Sequence, residues 1–372
     1  MSGQGQARRR EKTGDHERPA DGAAATRRGR SRPLTWKYVL RRSLALTLAG
    51  LAIYLVLPGL TRVLASWPRL ARLEPAWFSA AVVAEIGSFT CYFASERLAL
   101  RTRAWFAVVT AGLTGNAISN SVPGGAAAGA AVQYEMLAAA GFDTDTAVAG
   151  LTAISLLNLG ALLALPVFAL PAMLAGIAVS RGLVHTAEIG VGGFVLLAIA
   201  FTVGLRADWP LAAIGRAVQW LRNRLVARKR PPLTGLDTRL LADRDSIRRV
   251  LGLKWRQAVL LTAGRVGCDF GCLLVTLTAT GAHPDPSLVL LAYAAANIIT
   301  LFPITPGGLG LVEASLASLL ILAGVPSSSA FLATLAYRLA SYWLPLAAGL
   351  PAYALFRHRY GPAGKRPSAR RD

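Results

Sequence analysis

FPITPGGLGLVEAS, residues 302–315, separates two apolar runs with two prolines, three glycines and a glutamate. An unbroken membrane helix has no use for such a stretch. In hydrocarbon an unpaired backbone N–H or C=O is costly, so an interrupted helix persists only where protein or a watery cavity satisfies the exposed groups. Pro303 and Pro306 remove two donors, while Gly307, Gly308 and Gly310 permit positive φ or close packing. The stretch therefore reads as the tip of a re-entrant hairpin. The helix that follows, from near Leu309, would present free N–H groups and the positive end of its dipole, a setting suited to phosphate or carboxylate.

The surroundings of this tip are those of an integral membrane protein. Of the 372 residues, 54% are hydrophobic and 16% charged, outside the balance of an ordinary soluble domain. Apolar runs fall near 38–58, 76–96, 104–121, 147–170, 188–205, 257–281, 288–302, 309–324 and 329–356, against the roughly 20 residues that a helix needs to cross a bilayer. Two of them are short, and each borders a Pro-Gly-Gly.

The net charge of +21 is concentrated in three places: 12 Lys/Arg against 4 acids in residues 1–42, 13 against 4 in 206–256, and 6 against 1 in 357–372. Basic residues beside spans are retained on the cytoplasmic side, so both ends and the long loop are expected inside, and no nucleic acid is needed to explain the charge. Residues 1–35 read as a disordered basic cytoplasmic tail, too poor in large apolar residues to fold, and 359–372 as a second basic tail. Arg41-Arg42-Ser43-Leu44 faintly resembles an export signal but heads a long run followed by further spans, which favours a retained first helix. Within 206–256, Leu211, Ile214, Val218, Leu221 and Leu225 recur at helical spacing beside Trp209, Trp220 and several arginines. That pattern describes either an interfacial helix or a solvated amphipathic linker.

Residues 123–141, PGGAAAGAAVQYEMLAAAG, align with 306–324, PGGLGLVEASLASLLILAG. Each follows an apolar run containing asparagine, Asn116 and Asn120 in one case and Asn297 in the other, and each leads through a polar turn into another span. Chance likeness of Ala/Leu/Gly-rich helices is the competing reading. The first copy follows Arg97, Arg101 and Arg103, whereas the second follows AHPDPS, which has no Lys or Arg, so the copies are expected to be inverted. Inverted repeats with broken helices are a transporter plan with the substrate site at the repeat interface. On this reading Pro123, Gly124 and Gly125 form the second tip. The expected fold is an all-α polytopic membrane helix bundle of about eight spans plus two Pro-Gly-Gly hairpins, broken or re-entrant, with eight or ten crossings left open.

Ionisable residues within spans cost about 2.5–3.5 kcal/mol each at mid-bilayer on insertion scales and usually face partners or water. Glu85, Glu135, Arg265, Asp269, Glu313 and Arg338 qualify. Arg265 and Asp269 are spaced to pair on one helix. Glu313 can reach Arg338, either to lock two helices or to wall a polar path. Cys91, Cys268 and Cys272 lie in apolar runs without metal or redox spacing and read as packing. The four histidines are scattered, so no metal or cofactor site and no catalytic constellation is expected.

PITPGGLGLVEAS with the later AYRLASYWLPLAAG, residues 336–349, resembles the signature of the lysylphosphatidylglycerol synthase transmembrane region, the flippase-like or UPF0104 family, over roughly residues 36–358. The resemblance implies roles for Pro306, Gly307, Gly308, Gly310 and Glu313 in the signature loop and for Tyr337 and Arg338 in the final helix. The first copy departs from it: Gly129 is followed by alanine, and Ser155 stands where Arg338 would have its counterpart. In two-part members the membrane region is thought to move an aminoacylated phospholipid made by a separate cytosolic domain. This chain is expected to lack that domain, with 14 residues after His358.

The expected function is translocation of a phospholipid or lipid-linked intermediate between leaflets of a bacterial inner membrane, with both termini cytoplasmic and no enzymatic activity. Partners would be membrane lipids, anionic or aminoacylated phospholipid or a lipid-linked glycan. The expected headgroup site joins Pro306, Gly307, Gly308, Gly310, Glu313, Tyr337, Arg338, Pro123, Gly124, Gly125, Glu135, Asn116, Asn120, Arg265 and Asp269. The alternative is a non-transporting scaffold for a lipid-modifying enzyme or glycosyltransferase, docked through 206–256.

Overall fold

The computed structural model describes residues 75–122, 125–174, 207–226, 254–300 and 305–361, with short pieces or single positions at 61, 185, 188, 191–196, 198–199, 203, 235, 238 and 245. The chain divides into units 1–45 and 46–372, and every described residue falls in the second. The first expected span, most of the 188–205 run, the N-terminal tail, the C-terminal tail beyond Gly361, Pro123, Gly124 and Pro303 lie outside the described residues.

The described elements are all helical: α1 (Pro75–Ala99), α2 (Trp105–Ser121), α3 (Ala126–Ala139), α4 (Thr144–Leu174), α5 (Trp209–Val226), α6 (Trp255–Ala279), α7 (Pro286–Thr300), a 3-10 turn (Pro306–Gly308), α8 (Leu311–Leu322), α9 (Ser327–Arg338), a π turn (Leu339–Trp343) and α10 (Leu344–Tyr360). Among them, Ala76–Ala99, Thr144–Phe168, Trp255–Ala279 and Ser327–Tyr360 are long and apolar enough to cross a bilayer. α7 and the segment Pro306–Leu322 are shorter apolar helices. The protein is an all-α membrane helix bundle.

Local sequence sets the boundaries. Asp143 Oδ2 accepts hydrogen bonds from the Thr146 N–H and hydroxyl at 2.9 and 2.8 Å, which starts α4 and holds the Asp143 carboxyl below its usual range. Gly141, Gly281 and Gly324, all at positive φ, end α3, α6 and α8. Each donates to the carbonyl three residues back, and the next residue donates to the one before that, as left-handed helix ends do. The final span contains a π turn because Pro345 has no N–H for the Ser341 carbonyl one turn earlier.

Small residues set the packing, as expected where lipid supplies little drive for helices to associate. α1 lies along α6, and the contact alternates: a Cβ built at Gly87 would lie 3.3 Å from Cys268 Sγ, and one at Gly264 would lie 3.1 Å from Cys91 Sγ. The cysteines thus fill the space above glycines of the facing helix, which is the packing role anticipated for them. α2 and α3 form a tighter hairpin. A Cβ at Gly129 would lie 2.0 Å from Ser119 Oγ and 2.3 Å from the Gly115 carbonyl oxygen. α10 reaches α2 equally closely, since a Cβ at Gly349 would lie 2.2 Å from the Ala117 Cβ. One apolar cluster gathers α6, α7, α8 and α9, and a second gathers the end of α1 with α2, α3 and Phe356.

Candidate functional site

Elements from both clusters wall a polar cavity of about 400 Å³. α1 contributes Glu85, Ser88 and Tyr92; α2 contributes Asn116, Ser119 and Asn120; α6 contributes Arg265 and Asp269; α7 contributes Asn297 and Thr300; the end of α9 with its π turn contributes Tyr337, Arg338, Ser341 and Tyr342. Both glycine turns reach it, one through Gly125 and Ala126, the other through Gly307 and Gly308. All three asparagines flagged beside the tips therefore meet here.

The second tip is built around Arg338. Gly307, Gly308 and Gly310 have φ of 55°, 71° and 83°, a region that residues with a Cβ rarely adopt. This curl aims the Gly307 carbonyl at Arg338 Nη2, 2.9 Å away. Arg338 Nε donates to Glu313 Oε1 at 2.8 Å, while Glu313 Oε2 accepts the Gly310 N–H at 2.6 Å. The guanidinium also stacks 4.3 Å from the centre of the Tyr342 ring, and the Tyr342 hydroxyl donates to the Asn120 carbonyl at 3.1 Å. One ion pair thereby fixes the turn, the last span and α2 together. It also changes the expectation for α8: that helix starts at Leu311, and the Glu313 carboxylate already holds the N–H expected to face an anion.

The first tip is different. Gly125 has right-handed φ of −66° and α3 starts at Ala126 with no side-chain cap. Gly125 and Ala126, at this helix start, line the cavity, and a helix start carries amides without intrahelical partners. The fixed guanidinium is at the second tip.

Asp269 does not pair with Arg265. Its Oδ2 accepts from the Tyr293 hydroxyl and, at 3.0 Å, from the Tyr337 hydroxyl, which also lies 3.1 Å from Oδ1. Arg265 turns instead to Asn158 Oδ1 at 2.8 Å and lies over the Tyr92 ring at 5.3 Å. The i,i+4 spacing allowed the pair, but phenols from α7 and α9 supply better-placed donors for the carboxylate.

Of the anticipated residues, Asn116, Asn120, Gly125, Arg265, Asp269, Gly307, Gly308, Tyr337 and Arg338 line the cavity, while Pro306, Gly310 and Glu313 stand directly behind it. Glu135 lies apart from these residues. It faces a separate, mainly apolar groove between α2, α3 and α10 with Arg357, because α3 turns Gln133 inward. Gln133 Nε2 donates to Glu96 Oε1 at 2.8 Å, and both side chains are buried. Sequence reasoning missed this bond: neither Glu96 nor Gln133 was among the residues singled out. Tyr293 and Tyr342 were also missed, although each is an aromatic with a polar tip inside an apolar run. Among the described residues no group of three or more His, Cys, Asp or Glu is placed to hold a metal.

An all-helical, multi-pass membrane protein with interrupted helices around a polar interior is the class that fold and site define. Residues 42–349 match the family model described as the lysylphosphatidylglycerol synthase TM region, and the chain belongs to that family. It is 34% identical over 92 residues to a UPF0104 membrane protein of Methanothermobacter thermautotrophicus, a match covering 25% of this chain and 26% of that relative. The chain thus aligns with about a quarter of the relative's length. No solved structure matches it.

Proposed function

We propose that this protein moves a phospholipid or lipid-linked intermediate between the leaflets of a cytoplasmic membrane, with both termini on the cytoplasmic side. The observation that carries the reading is the cavity: backbone from both Pro-Gly-Gly turns and two guanidinium groups, Arg265 and Arg338, gathered among membrane helices. Polar groups inside a bilayer are expensive, and they are retained where they serve a path. A phosphate in the cavity would exchange water for the first-turn amides of α3 and for Arg338, which would release Glu313 as the phosphate replaced it. The acyl tails would remain outside, in lipid or in the apolar grooves that flank the bundle.

The inverted arrangement of the two copies belongs to this proposal, as does the view that the chain works without chemistry of its own. An anionic or aminoacylated phospholipid or a lipid-linked glycan fits the cavity's charge. The scaffold alternative draws on α5, whose Trp209 and Trp220 are exposed beside Arg216 and Arg224. Purified protein in liposomes separates the two. Translocation predicts faster exchange of a fluorescent short-chain phosphatidylglycerol between leaflets than in protein-free vesicles, and slower exchange in folded Arg338→Ala protein. A protein-free rate with the wild-type chain would leave the scaffold reading.

A further inference from the structure

Glu85 sits where the polar cavity meets a groove of about 660 Å³ lined almost wholly by apolar side chains, including Ile86, Leu113 and Leu344. The residue is buried, at 5% relative exposure. Its Oε2 is buried with no hydrogen-bond partner, although the residue lines the cavity.

The charged and titratable groups around it come from α6, α7 and α9, while α2 and α10 face it in the groove with apolar side chains. Asp269 on α6 is adjacent, with its two phenol donors Tyr293 of α7 and Tyr337 of α9. Arg265 on α6 is occupied by Asn158 and the Tyr92 ring, and Arg338 on α9 is occupied by Glu313 and Gly307. Cys272 completes the surroundings from α6. Both cations are therefore engaged elsewhere, and the donors that would satisfy an anion have gone to Asp269. Two adjacent carboxyls in a water-poor site cannot both remain ionised without such partners, and Glu85 is the one whose Oε2 has none.

We propose that Glu85 is a proton-binding site, and that one proton crosses with each anionic headgroup. The second half rests on the translocase reading; the first does not. With Glu85 protonated, Arg265 and Arg338 balance Asp269 and Glu313, and a phosphate can enter without facing a third carboxylate. Glu85 exchanges its proton with whichever aqueous phase the cavity opens to, so that the proton crosses with the headgroup. Phosphate and proton together carry no net charge.

The proton site is tested by infrared spectroscopy of the wild-type protein in lipid, labelled with 13C-glutamate so that glutamic and aspartic acids are resolved. A protonated glutamic-acid carbonyl band at neutral pH is expected, lost in Glu85→Gln and kept in Glu96→Gln; its absence from the wild type overturns the proposal. Coupling is tested in liposomes containing fluorescent phosphatidylglycerol, with an imposed difference of one pH unit. Transfer from the acid side should exceed transfer from the alkaline side by up to about tenfold for one proton. The bias should be lost in Glu85→Gln and kept in Glu85→Asp, which retains a titratable carboxyl. Wild-type exchange without bias, or equal bias in Glu85→Gln, overturns the coupling. No exchange by the wild-type protein counts against the translocase reading, and the infrared result then still decides the proton site.

Discussion

Arg338 divides one guanidinium among a carboxylate, a backbone carbonyl and an aromatic ring, and only arginine has the planar fork to do so. The Glu313–Arg338 pair is largely buried, at 14% and 9% side-chain exposure, so removing one partner strands the other charge. Arg338→Ala is expected to destabilise the protein by about 3–5 kcal/mol, read as a fall in melting temperature in detergent. Arg338→Lys should recover only part, since an ammonium cannot hold Glu313 Oε1 and the Gly307 carbonyl while stacking on Tyr342. Gly307→Ala meets two penalties, a left-handed φ of 55° and a Cβ 2.2 Å from the Tyr342 ring. A loss of about 2 kcal/mol or more is expected in the same measurement. At this scale the second tip was legible, because proline, glycine and glutamate carry their backbone chemistry in their identities. The partners of Asp269 were not, since Tyr293 and Tyr337 reach it from helices far along the chain.

The α2–α3 hairpin depends on Gly129 lying against Ser119 and the Gly115 carbonyl. Any side chain there must push the helices apart and with them Gly125, Ala126 and Asn120 at the cavity wall. Gly129→Ala is expected to cost about 1–3 kcal/mol and to slow lipid exchange, whereas Ala130→Ser, on the exposed side of α3, should change neither melting temperature nor exchange. An unaltered Gly129→Ala protein would show that the close approach is unimportant. Most helices were visible as apolar runs, with ends within a few residues. The last run, read as 329–356, is longer, Ser327–Tyr360, and carries a π turn that apolar content does not announce. Which way a short helix faces was less visible. α3 is so rich in alanine that no apolar stripe orients it, and Glu135 was placed in the cavity when the inward residue is Gln133.

For the whole molecule, composition and clustered charge specified a multi-pass membrane protein, and the family match over residues 42–349 agrees. Meeting of the two tips was legible only through the internal likeness of residues 123–141 and 306–324, because proximity across that much chain leaves no local trace. If the copies are inverted, the turn at Asp143 and the turn at Ser327 face opposite sides. Single cysteines at these positions, in protein without its three native cysteines, are expected to react with an impermeant thiol reagent from opposite faces of sealed vesicles. Labelling from one face would remove the inversion.

The most direct measurement of the central claim fills the cavity. Ser341 lies on its wall, while Leu260 is on the outer face of α6 at 72% exposure. In liposomes at equal folded protein, Ser341→Trp is predicted to bring phosphatidylglycerol exchange down to the protein-free rate, and Leu260→Trp to leave it at the wild-type rate. Exchange by Ser341→Trp as fast as by the wild-type protein would mean that headgroups do not pass through this cavity.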